Sequence, residues 1–71
     1  MKTYISRNPE VMSGTPCFVG TRVPIQNLFD YLEASFPLAE FLKQFPTVSE
    51  EAAIGVLKEA RYCLLRNEAI A

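Results

Sequence analysis

Apolar side chains recur every three or four residues from Pro24 onward, which is the spacing of one face of an α-helix. The first stripe predicts a helix with Pro24 in its opening turn, where no backbone N–H is needed. Its apolar positions are Ile25, Leu28, Phe29 and Leu32. A shorter second stripe ends before Pro46, which disfavours helical geometry in the preceding residue. This second helix contains Leu38, Phe41, Leu42 and Phe45, and we expect Ser35 to cap it.

A third stripe predicts the longest helix, which begins after Ser49. Ser49 is a favourable N-cap, the two glutamates that follow it lie near the positive end of the helix dipole, and Val48 can pack on Ala53. Gly55 falls in the helix interior, where it costs roughly 1 kcal/mol relative to alanine unless another backbone approaches closely. The predicted buried positions are Ala53, Val56, Leu57, Ala60 and Leu64.

Residues 1–23 are rich in turn-forming pairs such as Asn8-Pro9 and Ser13-Gly14, and contain short β-prone pieces near Tyr4 and Cys17. The chain therefore predicts one domain over residues 1–71, mainly α. A β-prone arm or hairpin over 1–23 precedes a three-helix bundle of the helix-turn-helix type over 24–68. We expect the bundle to close around Leu28, Phe29, Leu32, Phe41, Phe45, Leu57 and Leu64.

Length, charge and hydrophobicity argue against several classes of function. A chain of 71 residues buries a limited core, and dimerisation is the expected source of further buried area. The net charge of −1 counts against strong DNA binding by one copy, although a dimer doubles any local basic patch. No stretch approaches the roughly 20 apolar residues of a membrane helix, and no export signal is recognisable. We expect a cytoplasmic protein that does not contact the membrane.

Catalytic and metal-binding residues are scarce. The chain has no histidine, and its two cysteines, Cys17 and Cys63, form no C-x-x-C pair, so zinc lacks ligands. No serine has a recognisable base partner, and no nucleotide-binding glycine motif is present. We expect no enzyme activity and no cofactor, and interpret both cysteines as reduced, packed side chains.

Two sets of residues are candidates for partner or DNA contact. Lys58, Arg61 and Arg66 lie on the exposed side of the third helix with Tyr62, and suit phosphates or a carboxylate-rich protein; the alternative is a solvated face. Arg22, in the arm, offers a planar fork of donors. It either ties a structural hairpin to the bundle or belongs to an edge that pairs with a partner.

A second apolar face accompanies these charges. Ile54, Tyr62 and Leu65 lie outside the buried stripe of the third helix, and Phe18 lies in the arm. We expect Phe18, Ile54 and Leu65 to form an apolar face for a dimer mate or partner. Alternatively, the arm of the same chain folds over this side of the helix.

The order of Asn8-Pro9-Glu10, Gly14-x-Pro16 and Gly20-Thr21-Arg22-Val23-Pro24, followed by the helices, resembles the family known as domain of unknown function 433 over residues 5 to 60. The resemblance implies a homeodomain-like three-helix fold with a β-arm. Members often look like VapB-type antitoxins, which pair with a PIN-like ribonuclease toxin and repress their own operon. Three departures are Ser35 in place of a usual glycine, Ala52 in place of an acidic residue, and Ile54 in place of a polar one.

Two functional hypotheses follow. The first is an antitoxin-like protein that masks a PIN-like ribonuclease and represses its operon as a homodimer. The second is a structural or adaptor dimerisation module without nucleic-acid binding. Helix three bears on DNA binding directly, because Glu50 and Glu51 occupy the turn that would approach base edges, where phosphates repel them.

Overall fold

Three α-helices follow a small antiparallel sheet in a computed structural model that describes residues 3–10 and 12–68. Strands β1 (Ile5–Ser6) and β2 (Cys17–Phe18) form the sheet, with a 3₁₀ turn at Met12–Gly14 between them. Helices α1 (Ile25–Glu33), α2 (Leu38–Gln44) and α3 (Glu50–Glu68) complete the fold. The mainly helical architecture with an N-terminal β-hairpin is confirmed.

The arm is held together by backbone hydrogen bonds across three short segments. Ile5 pairs with Phe18 and Ser6 with Cys17, while Cys17 also forms a bridge with Pro24 on its other side. Gly20, at φ 77°, makes the turn after β2, a conformation that favours glycine. The Ile25 N–H donates to the Pro16 carbonyl at 2.9 Å, so the arm leads directly into α1.

The end of α1 is a Schellman motif centred on Ser35. Ser35 adopts φ 70° and donates its N–H to the Leu32 carbonyl at 3.0 Å, while the Phe36 N–H reaches the Tyr31 carbonyl at 2.9 Å. The rings of Tyr31 and Phe36 lie 5.4 Å apart, which supplies the apolar contact of this motif. The prediction that Ser35 caps α2 is therefore wrong: the N-cap of α2 is Pro37, which makes no side-chain capping bond.

The start of α3 is as predicted. The Ala52 N–H donates to Ser49 Oγ at 3.0 Å, which satisfies one of the free donors of the first turn. Val48, the residue before the cap, is buried together with Ala53 in the same core.

The core lies where the arm meets all three helices. Leu28 and Phe41 are fully buried as predicted, and Phe29, Leu32, Phe45 and Leu57 pack against the core while remaining partly exposed. The prediction for Leu64 is wrong: it is 70% exposed, because no other element among the described residues reaches that turn of α3. The buried hydrophobic residues are Cys17, Phe18, Ile25, Leu28, Phe41, Val48, Ala53 and Val56.

Candidate functional site

The arm docks on α3 through Thr3 and Tyr4. The Thr3 hydroxyl donates to the Glu59 carboxylate, whose oxygens lie 3.0 and 3.1 Å away, and the Tyr4 N–H reaches the same carboxylate at 3.2 Å. The Tyr4 hydroxyl donates to Glu51 at 2.8 Å. Glu51, Gly55 and Glu59 are four residues apart, so one helix face carries the whole contact.

Gly55 is required by the Tyr4 ring. A Cβ at position 55 would overlap Cδ2 and Cε2 of Tyr4, so only glycine allows the ring to lie against the helix at its present position. The close approach that the interior glycine suggested is therefore real, but a side chain of the arm makes it rather than a backbone. The arm thus covers the face of α3 that carries Gly55. It does not cover the apolar side over which it was alternatively expected to fold, because Ile54, Tyr62 and Leu65 remain exposed.

The carboxylate of Glu51 also changes the acidity of Tyr4. Accepting a hydrogen bond from the phenol favours its protonated form, and partial desolvation and the negative charge of Glu51 act in the same direction. The pKa of Tyr4 is therefore raised above its ordinary value.

Beyond Ala60, α3 extends past the rest of the fold. Every side chain from residue 61 to residue 66 is exposed, including Cys63 on the helix side that faces the core earlier in α3. Tyr62, Leu64 and Leu65 are 54%, 70% and 58% exposed. A helix segment that is apolar on several sides is normally enclosed, and no described element encloses this one.

A groove of about 600 Å³ lies between the arm, α1 and this extending end of α3. Its walls are mostly apolar, and Arg7, Lys58 and Arg61 are the cations among the lining residues. We call this feature the arm–α3 groove. Its lining residues are Tyr4, Ile5, Arg7, Ile25, Phe29, Gly55, Val56, Lys58, Glu59, Ala60, Arg61, Tyr62 and Cys63.

Some of the predicted contact residues lie together in the structure, and others lie on different surfaces. Lys58, Arg61 and Tyr62 line the arm–α3 groove together, and the Arg66 guanidinium lies 5.5 Å from the centre of the Tyr62 ring in a cation–π contact. Arg7 was not identified from the sequence, because it is far along the chain from the other cations. Its position after β1 is what brings it to the groove.

Arg22 belongs to a different surface. It lines an open depression of about 740 Å³ with Ser6, Asn8, Thr21 and Thr47. Arg22 makes no hydrogen bond or ion pair with any described residue, so the interpretation in which it ties the arm to the bundle is wrong. Thr3 and Tyr4 provide that tie instead.

The predicted apolar face is only partly present. Phe18 is 1% exposed and its ring lies 5.9 Å from that of Phe41, so the prediction that Phe18 meets a partner is wrong. The cause is the pairing of β2 between β1 and the start of α1, which turns Phe18 into the core. Ile54 and Leu65 are exposed, at 37% and 58%, and their role in partner contact stays a prediction.

Other chemistry is sparse in the described part of the chain. Over residues 3–10 and 12–68, no group of three or more potential ligands is close enough to hold a metal ion. No helix in these ranges is both long enough and apolar enough to cross a membrane. Cys17 is buried as expected, whereas the expectation of a packed Cys63 is wrong, because that thiol is exposed.

Comparison with known proteins identifies a family. A family model described as protein of unknown function (DUF433) matches residues 5–60, and no curated protein and no solved structure matches the chain. The match ends at Ala60, which is also where burial along α3 ends. The exposed turns of α3 therefore lie outside the matched region.

Proposed function

The chain belongs to the DUF433 family of proteins of unknown function, and on this basis we propose that it is an antitoxin-like binding protein that masks a PIN-like ribonuclease in the cytoplasm. The family resemblance supplies the class of partner. The molecule's own surface supplies the reason to expect binding rather than catalysis.

One observation carries the proposal: the last turns of α3 expose apolar side chains on several sides. Tyr62, Leu64 and Leu65 are each more than half exposed. Each apolar side chain that leaves water on binding contributes about 1.5–3 kcal/mol when fully buried, before the costs of association. A partner that encloses this segment therefore gains most of its affinity from three neighbouring residues, which is the usual distribution of energy in protein interfaces.

Charge supports a nuclease as the partner. A PIN-like enzyme holds clustered carboxylates, and the exposed cations Lys58, Arg61 and Arg66 lie on the same part of α3 as the apolar residues. None of the three forms an ion pair with a described residue. Lys58 and Arg61, which also make no hydrogen bond with the described residues, can pair with carboxylates without first breaking a polar contact, and Arg66 would exchange only its cation–π contact with Tyr62. Such pairing favours both rapid association and correct orientation.

Repression of its own operon by a homodimer is the second part of this proposal. Three helices joined by short connections support a homeodomain-like helix-turn-helix arrangement. Two copies would double the set of Lys58, Arg61 and Arg66 presented to one duplex. The exposed Glu50 and Glu51 at the first turn of α3 oppose direct base reading, so DNA contact rests on the later cations.

Co-expression with the adjacent reading frame tests the masking function. We expect the neighbouring protein to co-purify with this chain and to inhibit growth less in its presence. Leu64→Ser combined with Leu65→Ser should abolish both effects, because it removes the apolar contact. The chain should stay folded, because both side chains are exposed and each substitution should change the free energy of unfolding by about 0.5 kcal/mol or less. Val19→Ser, at a residue 56% exposed in the arm, is the matched control.

Failure of the neighbour to co-purify or to lose toxicity would exclude the antitoxin role. A dimer mass measured by light scattering in that case would favour the adaptor module. For DNA, a mobility shift against the upstream region across a salt series should show binding that persists at salt concentrations where charge-driven binding to unrelated DNA has faded.

A further inference from the structure

We propose that the arm–α3 groove binds an acidic amphipathic helix of the partner protein, with carboxylates of that helix on Lys58 and Arg61. This inference rests on the proposed function, because it assigns the surface and the partner segment through which masking occurs.

The walls of the groove suit the apolar side of a helix. Ile25 and Phe29 of α1 form one side, Ile5 and Tyr4 of the arm lie beside them, and Tyr62 of α3 is more than half exposed along the other side. The groove has a volume of about 600 Å³ and is partly open to solvent. Such a groove accepts several side chains at helical spacing, as in other helix-in-groove complexes.

The available charge in the groove is positive. Arg7, Lys58 and Arg61 make no ion pair or hydrogen bond with the described residues. Glu59, which is the carboxylate among the lining residues, already accepts bonds from Thr3 and from the Tyr4 N–H. The arm thus binds the one acidic side chain that lines the groove, while the lining cations have no polar partner in the described part of the chain. Charge complementarity therefore selects an acidic occupant.

The positions of the cations match a helix rather than an extended strand. Lys58 and Arg61 are three residues apart on α3, which places them about 4.5 Å apart along the axis at 1.5 Å per residue. Carboxylates three residues apart on a second helix have the same axial spacing of about 4.5 Å. Successive carboxylates on one face of a strand are about 6.6 Å apart and do not match it.

A second copy of this chain does not supply such a helix. The exposed large hydrophobic residues that lie on described helices all belong to α3. Within four positions of Tyr62, Leu64 and Leu65, three cations outnumber two acids, which are Glu68 and Glu59, and Glu59 already binds the arm. Ile54 alone lies near Glu50 and Glu51. The exposed acids Asp30 and Glu33 of α1 have no exposed large apolar neighbour on their helix. Another protein is thus the expected occupant.

Selection from a displayed library of random amphipathic helices, with the full chain as bait, tests the proposal. We expect selected peptides to be enriched in Asp and Glu beside leucine-like residues at helical spacing. Lys58→Glu combined with Arg61→Glu should weaken a selected acidic peptide by about tenfold in fluorescence anisotropy, since two attractions become repulsions. The same variant should select basic peptides. Lys43→Glu, at an exposed lysine on α2 outside the groove, should leave affinity unchanged.

Several results would overturn the proposal. These are selection of no peptide, selection without acidic enrichment, or affinity that is indifferent to the double charge reversal. A concentration-dependent dimer that blocks peptide binding would assign the groove to a second copy, and a DNA oligonucleotide that competes for it would assign it to nucleic acid. If wild type and the double variant capture the neighbouring toxin equally, the masking function is supported and the assignment of the groove is wrong. If peptides bind the groove but no toxin is captured, the masking function is wrong.

Discussion

Ser35 holds a left-handed backbone conformation that costs a residue with a side chain about 1–2 kcal/mol. Ser35→Gly should therefore stabilise the chain, because glycine adopts this conformation without the cost. Glycine also gives the unfolded chain more conformational entropy, so the net gain in the free energy of unfolding should be about 0.5–1 kcal/mol. Urea denaturation followed by circular dichroism measures this change. The neighbouring Ala34 has φ −85°, so Ala34→Gly gains no such relief and should destabilise. Equal effects at the two positions would contradict the Schellman assignment.

The hydrogen bond from Tyr4 to Glu51 predicts a specific pH dependence. Because the pKa of Tyr4 is raised in the folded state, folding favours the protonated phenol. Its contribution to stability is complete below the unfolded pKa near 10 and is lost as pH rises through the higher folded value. Subtracting the tyrosinate absorbance titration of Tyr4→Phe from that of wild type leaves the component due to Tyr4, which should titrate above pH 10. In Glu51→Gln this component should move to lower pH.

Single residues whose conformation follows from local chemistry could be predicted from the sequence, and those governed by long-range contacts could not. Ser49 was identified as an N-cap, since a serine before two glutamates satisfies free N–H groups within three residues. The residue type of Ser35 indicated a cap for α2, and only the family resemblance, which usually places glycine there, indicated the left-handed turn that Ser35 makes. Arg7 was missed because the docking of the arm on α3 through Thr3 and Tyr4 is what brings it near that helix.

At the scale of elements, the arm and α3 are coupled through Gly55 and Tyr4. Gly55→Ala should gain about 1 kcal/mol of helix propensity but displace the Tyr4 ring, so in wild type the gain should be cancelled or reversed. In a Tyr4→Ala background the same substitution should stabilise by about 1 kcal/mol. A double-mutant cycle from denaturant midpoints measures the difference. Additivity of the two substitutions would show that the ring does not rest on Gly55.

The helices could be predicted because each carries its own period and its own boundary residues. The packing of the arm could not, since two-residue strands have no period. Phe18 therefore looked like an exposed arm residue, although it fills the core. For α3 the period persists to Leu64, but the rest of the fold does not reach so far. A sequence pattern gives the side of a helix that faces inward and not the length over which a neighbour is present.

At the scale of the whole molecule, stability and binding are predicted to reside in different residues. Phe18→Ala should destabilise by about 3–5 kcal/mol, because it opens a cavity among Phe41, Leu28 and their neighbours. Leu64→Ala should cost about 0.5 kcal/mol or less, because the side chain is already in water. Thermal melts of both variants check the contrast, with Phe18→Leu as a milder core control. A comparable loss in Leu64→Ala would mean that α3 is covered in solution.

The candidate site was thus predictable in part. Lys58, Arg61 and Tyr62 were identified because exposed cations near an aromatic residue on one helix are visible in the sequence. The groove itself was not, since it forms between α3 and an arm whose docking depends on Tyr4, Glu51 and Glu59.

The different surroundings of Cys17 and Cys63 have a practical consequence. Cys63 lies in a wall of the arm–α3 groove with its thiol in water, whereas Cys17 is 1% exposed. A maleimide fluorophore should therefore attach at Cys63 and leave Cys17 unmodified, so the wild-type chain provides its own labelling position beside the groove. The same thiol can cross-link two copies during storage in air. Mass measurements need a reductant, or covalent dimers will be mistaken for association.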